Sequence, residues 1–579
     1  MRYSRLVLIA LLSVVNSYKI VYTGGDLANK AIVICNKEMR VVPEAQLDVI
    51  AKASESNCVP EVIRVYSLSI VLPEENDIKE ALPYVSEGPI SDSETPWQLD
   101  EDHMNVTSLL EAGPESSREI GVIVIDTGIA RNLPEPIRSA IDYENGVALT
   151  TFIDHLISNG VCDDSGQVRF SNETYIQTDL GTYYQLPTTV TFKYCLKKFQ
   201  SSNVTAIYLQ AMNVSDQVGH GTFVASQIVG EFEGVYKYLF EGAPYIGQIS
   251  GTELVSKVFT GIAPPSIGVK VRIIPIKADF LEIWIDGVYS TLDEYLNNAS
   301  RTEGGKVYLD NSFLHGGAFD DYTLEEASRV AVQLAREGKA KVVNMSLGRW
   351  RNSRDDLENS CRSIIDPMVR NGLTVVVAAG NEGRDIKAYN GVHDEYEWPA
   401  QCEGVIPVSA FEVTNGLASF SNYDPATFAA PGGLVLGIYT ASSYLGGSIS
   451  GEPVYGYVES ENSEKFVLAF SSGTSYAAPE VAGAIAYLYA LNFTLDDIKK
   501  HARDVGLRGF DKYSGYGYPA LGDYIGAANE AQDAAITTET VTVTLTPDAS
   551  DMEIPAIWLG SPLFVKVVRR LRKGKSSVN

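Results

Sequence analysis

The stretch FSSGTSYAAPEVAG places Ser475 between a Gly-Thr pair and a long apolar run. A serine hydroxyl becomes a nucleophile when an adjacent base removes its proton, and that base is usually a histidine oriented by a third group. The apolar run is typical of a buried helix, whose first backbone N–H groups can stabilise a developing negative charge. The same serine also suits a plain helix N-cap, and this stretch alone leaves both interpretations open.

Among the six histidines of the chain, His220 stands apart because glycines flank it on both sides. Glycines let the backbone approach its neighbours closely and leave an imidazole reachable. The remaining histidines lie in polar contexts that are typical of surface positions, at His103, His155, His315, His393 and His501. The sequence therefore predicts His220 as the base.

Two further polar residues follow apolar, β-branched runs that are typical of buried strands. Asp126 closes the run IGVIVID and can orient the His220 ring, although a short aspartate there suits a turn equally well. Asn381 follows LTVVVAAG, and its amide can donate to an oxyanion together with the N–H of Ser475. A glycine-flanked asparagine taken alone is most often a turn residue.

Continuous apolar strands alternate with helical stretches from about residue 120 to about residue 529. This alternation predicts an α/β fold with a mostly parallel central sheet and helices on both faces. In such sheets the functional residues gather at the C-terminal ends of the strands. Asp126, Ser346 and Asn381 all fall at such ends.

The ends of the chain have a different character. Residues 1–17 combine two arginines, an apolar run and small residues, which predicts a secretory signal peptide. Residues 18–93 read as a small α/β unit of two strands and two helices, followed by an acidic linker, SEGPISDSETPWQLDEDH, that we expect to be exposed. Residues 530–579 form a C-terminal tail with a basic end, for which a flexible end and a weak association with membranes are both open.

Composition narrows the class of partner and the redox environment. The net charge of −27 argues against nucleic-acid binding, because phosphate contacts need a basic face. Six cysteines without a CxxC pair favour disulfides in a secreted chain over a zinc site. Sequence neighbours suggest one pairing among the 15 possible, namely Cys35–Cys58, Cys162–Cys195 and Cys361–Cys402. Asn-x-Ser/Thr triplets predict surface glycosylation, except at Asn344, which lies in an apolar run.

Five motifs, VIVIDTGI, GHGTFVAS, VVNMSLG, AAGNEG and GTSYAAP, together resemble the motif set of the subtilisin-like serine proteases, the subtilases, in the order Asp–His–Ser. TPWQLD is similar to the mature start of the proteinase K-like members. The resemblance implies a peptidase domain at residues 94–529, with insertions near 140–210 and 233–260. It also implies that the unit at residues 18–93 is an inhibitory propeptide.

The resemblance implies a role for each matching residue. Asp126 would orient His220, His220 would act as general base and then acid, and Ser475 would be the nucleophile. Asn381 would be the oxyanion donor. The implied substrate-binding residues are Ser346, Leu347, Gly348 and Gly380.

The motifs depart from the family at Phe223, Ser226 and Arg349, which stand where His, Gly and Gly are usual. We expect the first two changes to affect packing. Arg349 lies beside the implied substrate-binding strand, and we expect it to favour acidic side chains in the substrate.

The resemblance implies a secreted or cell-surface serine endopeptidase, made as a zymogen, that acts on protein or peptide substrates and is inhibited by its own propeptide. A kexin-type processing protease is one alternative, although about 50 residues after Asn529 are few for its usual further domain. A catalytically inactive subtilase fold used for binding is another, and the intact set of catalytic residue types argues against it. No cofactor is expected for the chemistry, and structural calcium is an expectation from the family without assigned sites.

Overall fold

The computed structural model describes residues 30–35, 38–43, 61–67, 93–94, 96–177, 183–199, 203–237, 254–310, 312–389, 394–424, 426–440, 454–459 and 465–525. The expected signal peptide at residues 1–17, both expected helices of the 18–93 unit, the Cys35–Cys58 pairing and the tail at 530–579 lie outside the described residues.

The strands up to residue 277 are β1 (Lys30–Cys35), β2 (Glu38–Pro43), β3 (Glu61–Ser67), β4 (Ser93–Glu94), β5 (Glu119–Asp126), β6 (Val147–Ala148), β7 (Asp164–Phe170), β8 (Thr174–Gln177), β9 (Tyr183–Gln185), β10 (Val190–Phe199), β11 (Val204–Ala211), β12 (Glu231–Lys237), β13 (Leu254–Phe259) and β14 (Lys270–Lys277). The strands that follow are β15 (Phe280–Asp286), β16 (Ser300–Glu303), β17 (Lys306–Leu309), β18 (Ser312–Asp320), β19 (Val342–Met345), β20 (Arg349–Arg351), β21 (Thr374–Ala378), β22 (Lys387–Tyr389), β23 (Asp394–Trp398), β24 (Val405–Phe411), β25 (Phe428–Pro431), β26 (Val435–Thr440), β27 (Val454–Glu459) and β28 (Lys465–Ser471). The α-helices are α1 (Thr107–Ala112), α2 (Thr151–Ser158), α3 (His220–Val229), α4 (Leu292–Ala299), α5 (Asp321–Arg336), α6 (Arg354–Ser360), α7 (Asp366–Arg370), α8 (Thr474–Ala490) and α9 (Leu495–His501).

The central sheet has the order β25-β24-β21-β19-β5-β14-β6, and every pair in it is parallel. Alternate residues of β5 enter two separate hydrophobic clusters, because successive side chains of a strand point to opposite faces. Val122 and Val124 pack with α3 and α8, whereas Ile123 and Ile125 pack with α5. The predicted α/β fold, with helices on both faces of a parallel sheet, is confirmed.

A second sheet, which is antiparallel, has the order β2-β1-β3-β18-β15-β11-β10-β7. The expected insertion near 140–210 supplies β7, β10 and β11 of this sheet. The expected strands of the 18–93 unit correspond to β1 and β3, while β2 was not expected. Asp320 of β18 pairs with Val65 of β3, so the N-terminal strands continue a sheet of the main domain.

The expected insertion near 233–260 supplies β12 and β13, which lie in a sheet of order β26-β28-β27-β12-β13-β4. Two of the expected disulfides are confirmed, Cys162–Cys195 and Cys361–Cys402, with Cα–Cα distances of 5.3 and 5.5 Å. Within the described ranges, no helix is long and apolar enough to cross a bilayer.

The expected exposed linker is wrong at Trp97–Leu99, a short 3-10 helix whose three side chains are buried. Trp97 Nε1 donates to the Leu434 carbonyl at 2.9 Å. This contact holds Trp97 in the core although acidic residues flank it in the sequence. His103, expected on the surface, is also buried and packs edge-on against Trp97. Asn344 is buried, as predicted.

Candidate active site

Ser475 lies in the first turn of α8, directly after β28. Gly473 holds the N-cap position of the helix, so the interpretation of Ser475 as the N-cap is wrong. The Ser475 side chain is buried, and its Oγ donates to the carbonyl oxygen of Ser346 at 3.2 Å. The predicted nucleophile therefore lies beside the C-terminal end of β19.

Pro479 leaves the Ser475 carbonyl free to accept a hydrogen bond from outside the helix. A residue at this position of a helix normally donates its backbone N–H to the carbonyl four residues earlier, here that of Ser475, but proline has no N–H. The Ser475 carbonyl instead accepts the hydroxyl of Ser346 at 2.6 Å. Two reciprocal hydrogen bonds thus join the start of α8 to the end of the central strand β19.

His220 is the first residue of α3, and Asp126 is the last residue of β5. The His220 Nδ1 lies 2.9 Å from Oδ1 and 3.1 Å from Oδ2 of Asp126, and both side chains are buried. Gly221 permits this approach, since a Cβ on it would lie 2.2 Å from the Gly128 carbonyl oxygen and 3.1 Å from Asp126 Oδ1. The predicted Asp–His pair is therefore formed.

The other ring nitrogen of His220, Nε2, is buried and has no hydrogen-bond partner in the part of the chain that the structure describes. The Ser475 hydroxyl is directed to Ser346 instead. Hydrogen bonds between catalytic groups are often unformed in the absence of substrate and tighten when substrate binds. His220 therefore has a fixed Nδ1 and an Nε2 that can accept a proton.

Asp216 holds the loop before His220, and the sequence analysis did not single it out. Its Oδ1 accepts the Thr127 hydroxyl at 2.9 Å and the N–H groups of Val218 and Gly219 at 2.9 and 2.8 Å. Its Oδ2 accepts the N–H and hydroxyl of Thr222 at 2.9 and 2.6 Å. This buried carboxylate fixes the end of β5 to the start of α3. The sequence feature that could have identified Asp216 is its position four residues before the glycine-flanked His220.

A buried ion pair lies beneath Asp126. Lys277 is the register partner of Asp126 in β14, and its Nζ donates to the Thr127 carbonyl at 2.6 Å and to Asp279 Oδ1 at 2.5 Å. Burial raises the pKa of Asp279 to about 6, against the opposing effect of Lys277 and with smaller contributions from Asp216 and Asp126. The sequence feature that could have identified Lys277 is its position at the end of an apolar strand.

Asn381 follows β21 and is joined to α8 through Thr474. Its Oδ1 accepts the Thr474 N–H at 2.8 Å and the Thr474 hydroxyl at 2.9 Å. Its Nδ2 lies toward Gly473, 3.5 Å from where a Cβ on that residue would stand. Asn381 therefore has a role beyond that of a turn residue, because it connects its loop to the helix that carries Ser475.

The four expected substrate-binding residues lie near the same edge of the central sheet. Ser346, Leu347 and Gly348 link β19 to β20, and the first two are buried. Gly380 has a φ of +101°, which L side chains rarely adopt, and its N–H donates to the Thr474 hydroxyl at 3.1 Å. Their contact with a substrate remains a prediction.

Arg349 lies directly after Gly348, at the start of β20. Its side chain is buried, and Nη1 donates to the Val65 carbonyl of β3 at 2.6 Å. The effect of Arg349 on the substrate preference stays a prediction.

A buried Asp–His pair and a helix-borne serine at the edge of a parallel sheet define an α/β protein with a site of the serine-hydrolase type. The sequence model of the subtilase family matches residues 117–504, which is more than half of the chain, and the protein belongs to the subtilase family. Among the described residues, no group of three or more His, Cys, Asp or Glu side chains is gathered as a metal site, so no calcium site is assigned.

Similar proteins match over limited stretches. Subtilisin-like protease 1 of Pseudogymnoascus destructans is 32% identical over 160 residues, covering 28% of this chain and 31% of that protein. The extracellular protease of Xanthomonas campestris pv. campestris is 30% identical over 158 residues, covering 27% and 22%. The chain thus spans about a third or less of the length of these relatives. The crystal structure of the epidermin leader peptide processing serine protease of Staphylococcus aureus matches with a TM-score of 0.39 and 15% identity, covering 90% of this chain and 96% of that one.

Proposed function

We propose that the protein is a secreted serine endopeptidase that hydrolyses peptide bonds with Asp126, His220 and Ser475. The observation that carries this proposal is the buried hydrogen bond of 2.9 Å between His220 Nδ1 and Asp126, with Ser475 in the first turn of the buried helix α8. Family membership supports the same chemistry.

In the proposed mechanism, the Ser475 hydroxyl leaves the Ser346 carbonyl and passes its proton to His220 Nε2 as Oγ attacks the peptide carbonyl. Asp126 stabilises the imidazolium, and the amide of Asn381 with the N–H of Ser475 stabilises the oxyanion. His220 then gives the proton to the leaving amine. Water hydrolyses the acyl-enzyme by the reverse sequence, which regenerates the Ser475 hydroxyl.

We further propose that residues 18–93 are an inhibitory propeptide and that residues 94–529 are the peptidase domain. The contacts of β3 support this division. Arg64 forms ion pairs with Asp356 and with Asp321, the latter at 3.8 Å, and these carboxylates lie in the first turns of α6 and α5. Secretion is supported by the two described disulfides and by the extracellular protease among the relatives.

The test uses secreted protein, its Ser475→Ala variant and a Ser139→Ala control at an exposed serine. After removal of the N-terminal segment, by the enzyme itself or by an added protease, wild type and control are expected to react with a fluorophosphonate probe, whereas Ser475→Ala is not. N-terminal sequencing of all three shows whether processing depends on Ser475. An unreactive but processed wild type would instead indicate a fold used for binding.

A further inference from the structure

Asp279 is a buried carboxylate in the two-residue link between β14 and β15. Its side chain is 1% exposed, and Oδ1 accepts the Lys277 ammonium at 2.5 Å. The other oxygen, Oδ2, is buried and has no hydrogen-bond partner among the described residues. A buried carboxylate with an incomplete set of partners opposes folding, so Oδ2 contributes nothing favourable to stability. The contacts of the Lys277–Asp279 pair lead instead toward the active site.

Lys277 connects this carboxylate to the residue that follows Asp126. Its Nζ also donates to the carbonyl of Thr127 at 2.6 Å. The Thr127 N–H donates to Asp126 Oδ1 at 2.7 Å, and the Thr127 hydroxyl accepts the N–H of Gly221 at 2.9 Å. Gly221 lies in the first turn of α3. The ion pair is therefore joined, through Thr127 alone, to the end of β5 and to the start of α3.

The titratable groups that interact with Asp279 come from four parts of the fold. Burial raises the pKa of Asp279 to about 6, Lys277 of β14 lowers it, and Asp216 before α3 and Asp126 of β5 raise it further. Tyr184 of β9 also interacts with Asp279, but burial raises the pKa of its hydroxyl so far that it stays neutral. Asp279 is therefore ionised above about pH 6 and neutral in more acidic solution.

We propose that Lys277 positions the Asp126–His220 pair through Thr127, and that the charge of Asp279 determines the lower pH limit of peptide-bond hydrolysis. The inference rests on the proposed function and adds the regulation of the same site by pH. An ionised Asp279 offsets the Lys277 charge and so favours the His220 imidazolium, whereas a neutral Asp279 leaves that charge uncompensated and disfavours the imidazolium. All of these side chains are buried, so salt screens the charges between them only weakly.

The first test follows kcat/KM of the processed enzyme for one peptide substrate from about pH 5 to about pH 9. Asp279→Asn keeps the shape of the side chain and removes its charge. The pH at which kcat/KM is half-maximal is expected to be lower in this variant than in wild type by about half a unit to one unit, because the remaining Lys277 charge disfavours the imidazolium. Glu303→Gln, which removes a negative charge at an exposed site, is the matched control and should leave this pH unchanged.

A double variant separates the effect of charge from that of position. Lys277→Met combined with Asp279→Leu removes both charges, so the net charge of the pair is again that of wild type above about pH 6. The half-maximal pH is therefore expected to return to within about 0.2 unit of the wild-type value. The kcat of the double variant should nevertheless fall about threefold to tenfold at every pH, because the Thr127 carbonyl loses its donor.

Fluorophosphonate labelling in alkaline solution reports an intact nucleophile independently of the pH profile. An Asp279→Asn variant that is labelled and active, but has the half-maximal pH of wild type, would overturn the role of the Asp279 charge and leave the proposed function standing. The same holds if the half-maximal pH falls further in the double variant, and an unchanged kcat there would overturn the positioning role of Lys277. A wild type that is neither labelled nor active would overturn the proposed function and this inference together.

Discussion

The side-chain amide of Asn381 has an oxygen and a nitrogen with different surroundings. The oxygen accepts two hydrogen bonds from Thr474 and so fixes the start of α8. The nitrogen is the group proposed to donate to the oxyanion. A substitution that keeps an oxygen but removes the amide nitrogen can therefore separate structure from catalysis.

We expect Asn381→Ala to lower kcat by about 10²–10³, the usual cost of removing one oxyanion donor, and to lower thermal stability because Thr474 loses its acceptor. Asn381→Asp should keep the Thr474 hydrogen bonds and the stability, yet lose at least as much rate. Steady-state kinetics and thermal denaturation of both variants check this. Retention of full kcat in Asn381→Asp would contradict the assigned role of the nitrogen.

The sequence analysis named the residues that motifs carry and missed those that support them. Asp126, His220, Ser346 and Asn381 follow strands or stand between glycines, so their types and positions were informative. Asp216 was missed because its role depends on five hydrogen bonds, and the donors of these bonds come together only in the folded loop.

At the scale of elements, the helix α8 contains a buried acidic residue. Glu480 lies inside this helix, fully buried, and neither carboxylate oxygen has a hydrogen-bond partner among the described residues. Burial alone raises its pKa well above 4.5 in the folded protein. The folded state therefore keeps a proton that the unfolded chain releases, so the contribution of Glu480 to the free energy of unfolding is most favourable below about pH 4.5. It falls by about 1.4 kcal/mol per pH unit as the pH rises toward the folded-state pKa.

We expect Glu480→Gln to remove this loss. The variant and wild type should unfold at similar temperatures near pH 4, and the variant should become progressively more stable than wild type from pH 5 to pH 8. Thermal denaturation across this range measures the difference, with the exposed Glu326→Gln as control. A constant difference at all pH values would mean that Glu480 does not bind the proton.

The elements differ in how far the sequence specified them. Strands of the central sheet such as β5 and β24 are buried on both faces, so their continuous apolar runs predicted them. The strand β7 alternates half-buried and exposed polar residues, and its pairing with β10 is what defines it. The insertion was therefore recognised by length alone and not as a sheet.

At the scale of the whole molecule, the N-terminal strands meet the main domain through charges as well as backbone pairing. Arg64 of β3 interacts with Asp321 and Asp356, whose side chains are between one-seventh and one-fifth exposed. Partly buried ion pairs of this kind contribute on the order of 1 kcal/mol. Their strength bears on how firmly the proposed propeptide is held.

In the unprocessed chain, Arg64→Ala is expected to increase the rate of fluorophosphonate labelling threefold to tenfold, because the segment dissociates more often. Asp356→Asn should act in the same direction, and the two together should add less than their sum, since both remove the ion pair between Arg64 and Asp356. Arg354→Ala, at an exposed pair in the same helix, is the control. Strict additivity would show that Arg64 and Asp356 act separately.

The strand β18 pairs with β15 on one side and with β3 on the other. If maturation removes β3, the backbone groups of residues 318–320 that face β3 lose their partners, and an internal strand becomes a sheet edge. Bare edges accept strands from other chains, and flanking charges limit this association. Asp321, which directly follows β18 and is one-fifth exposed, is such a charge. Removal of β3 during activation would thus leave an unpaired sheet edge that can bind a strand of another chain. We expect amide hydrogen exchange at residues 318–320 to become faster when β3 is removed.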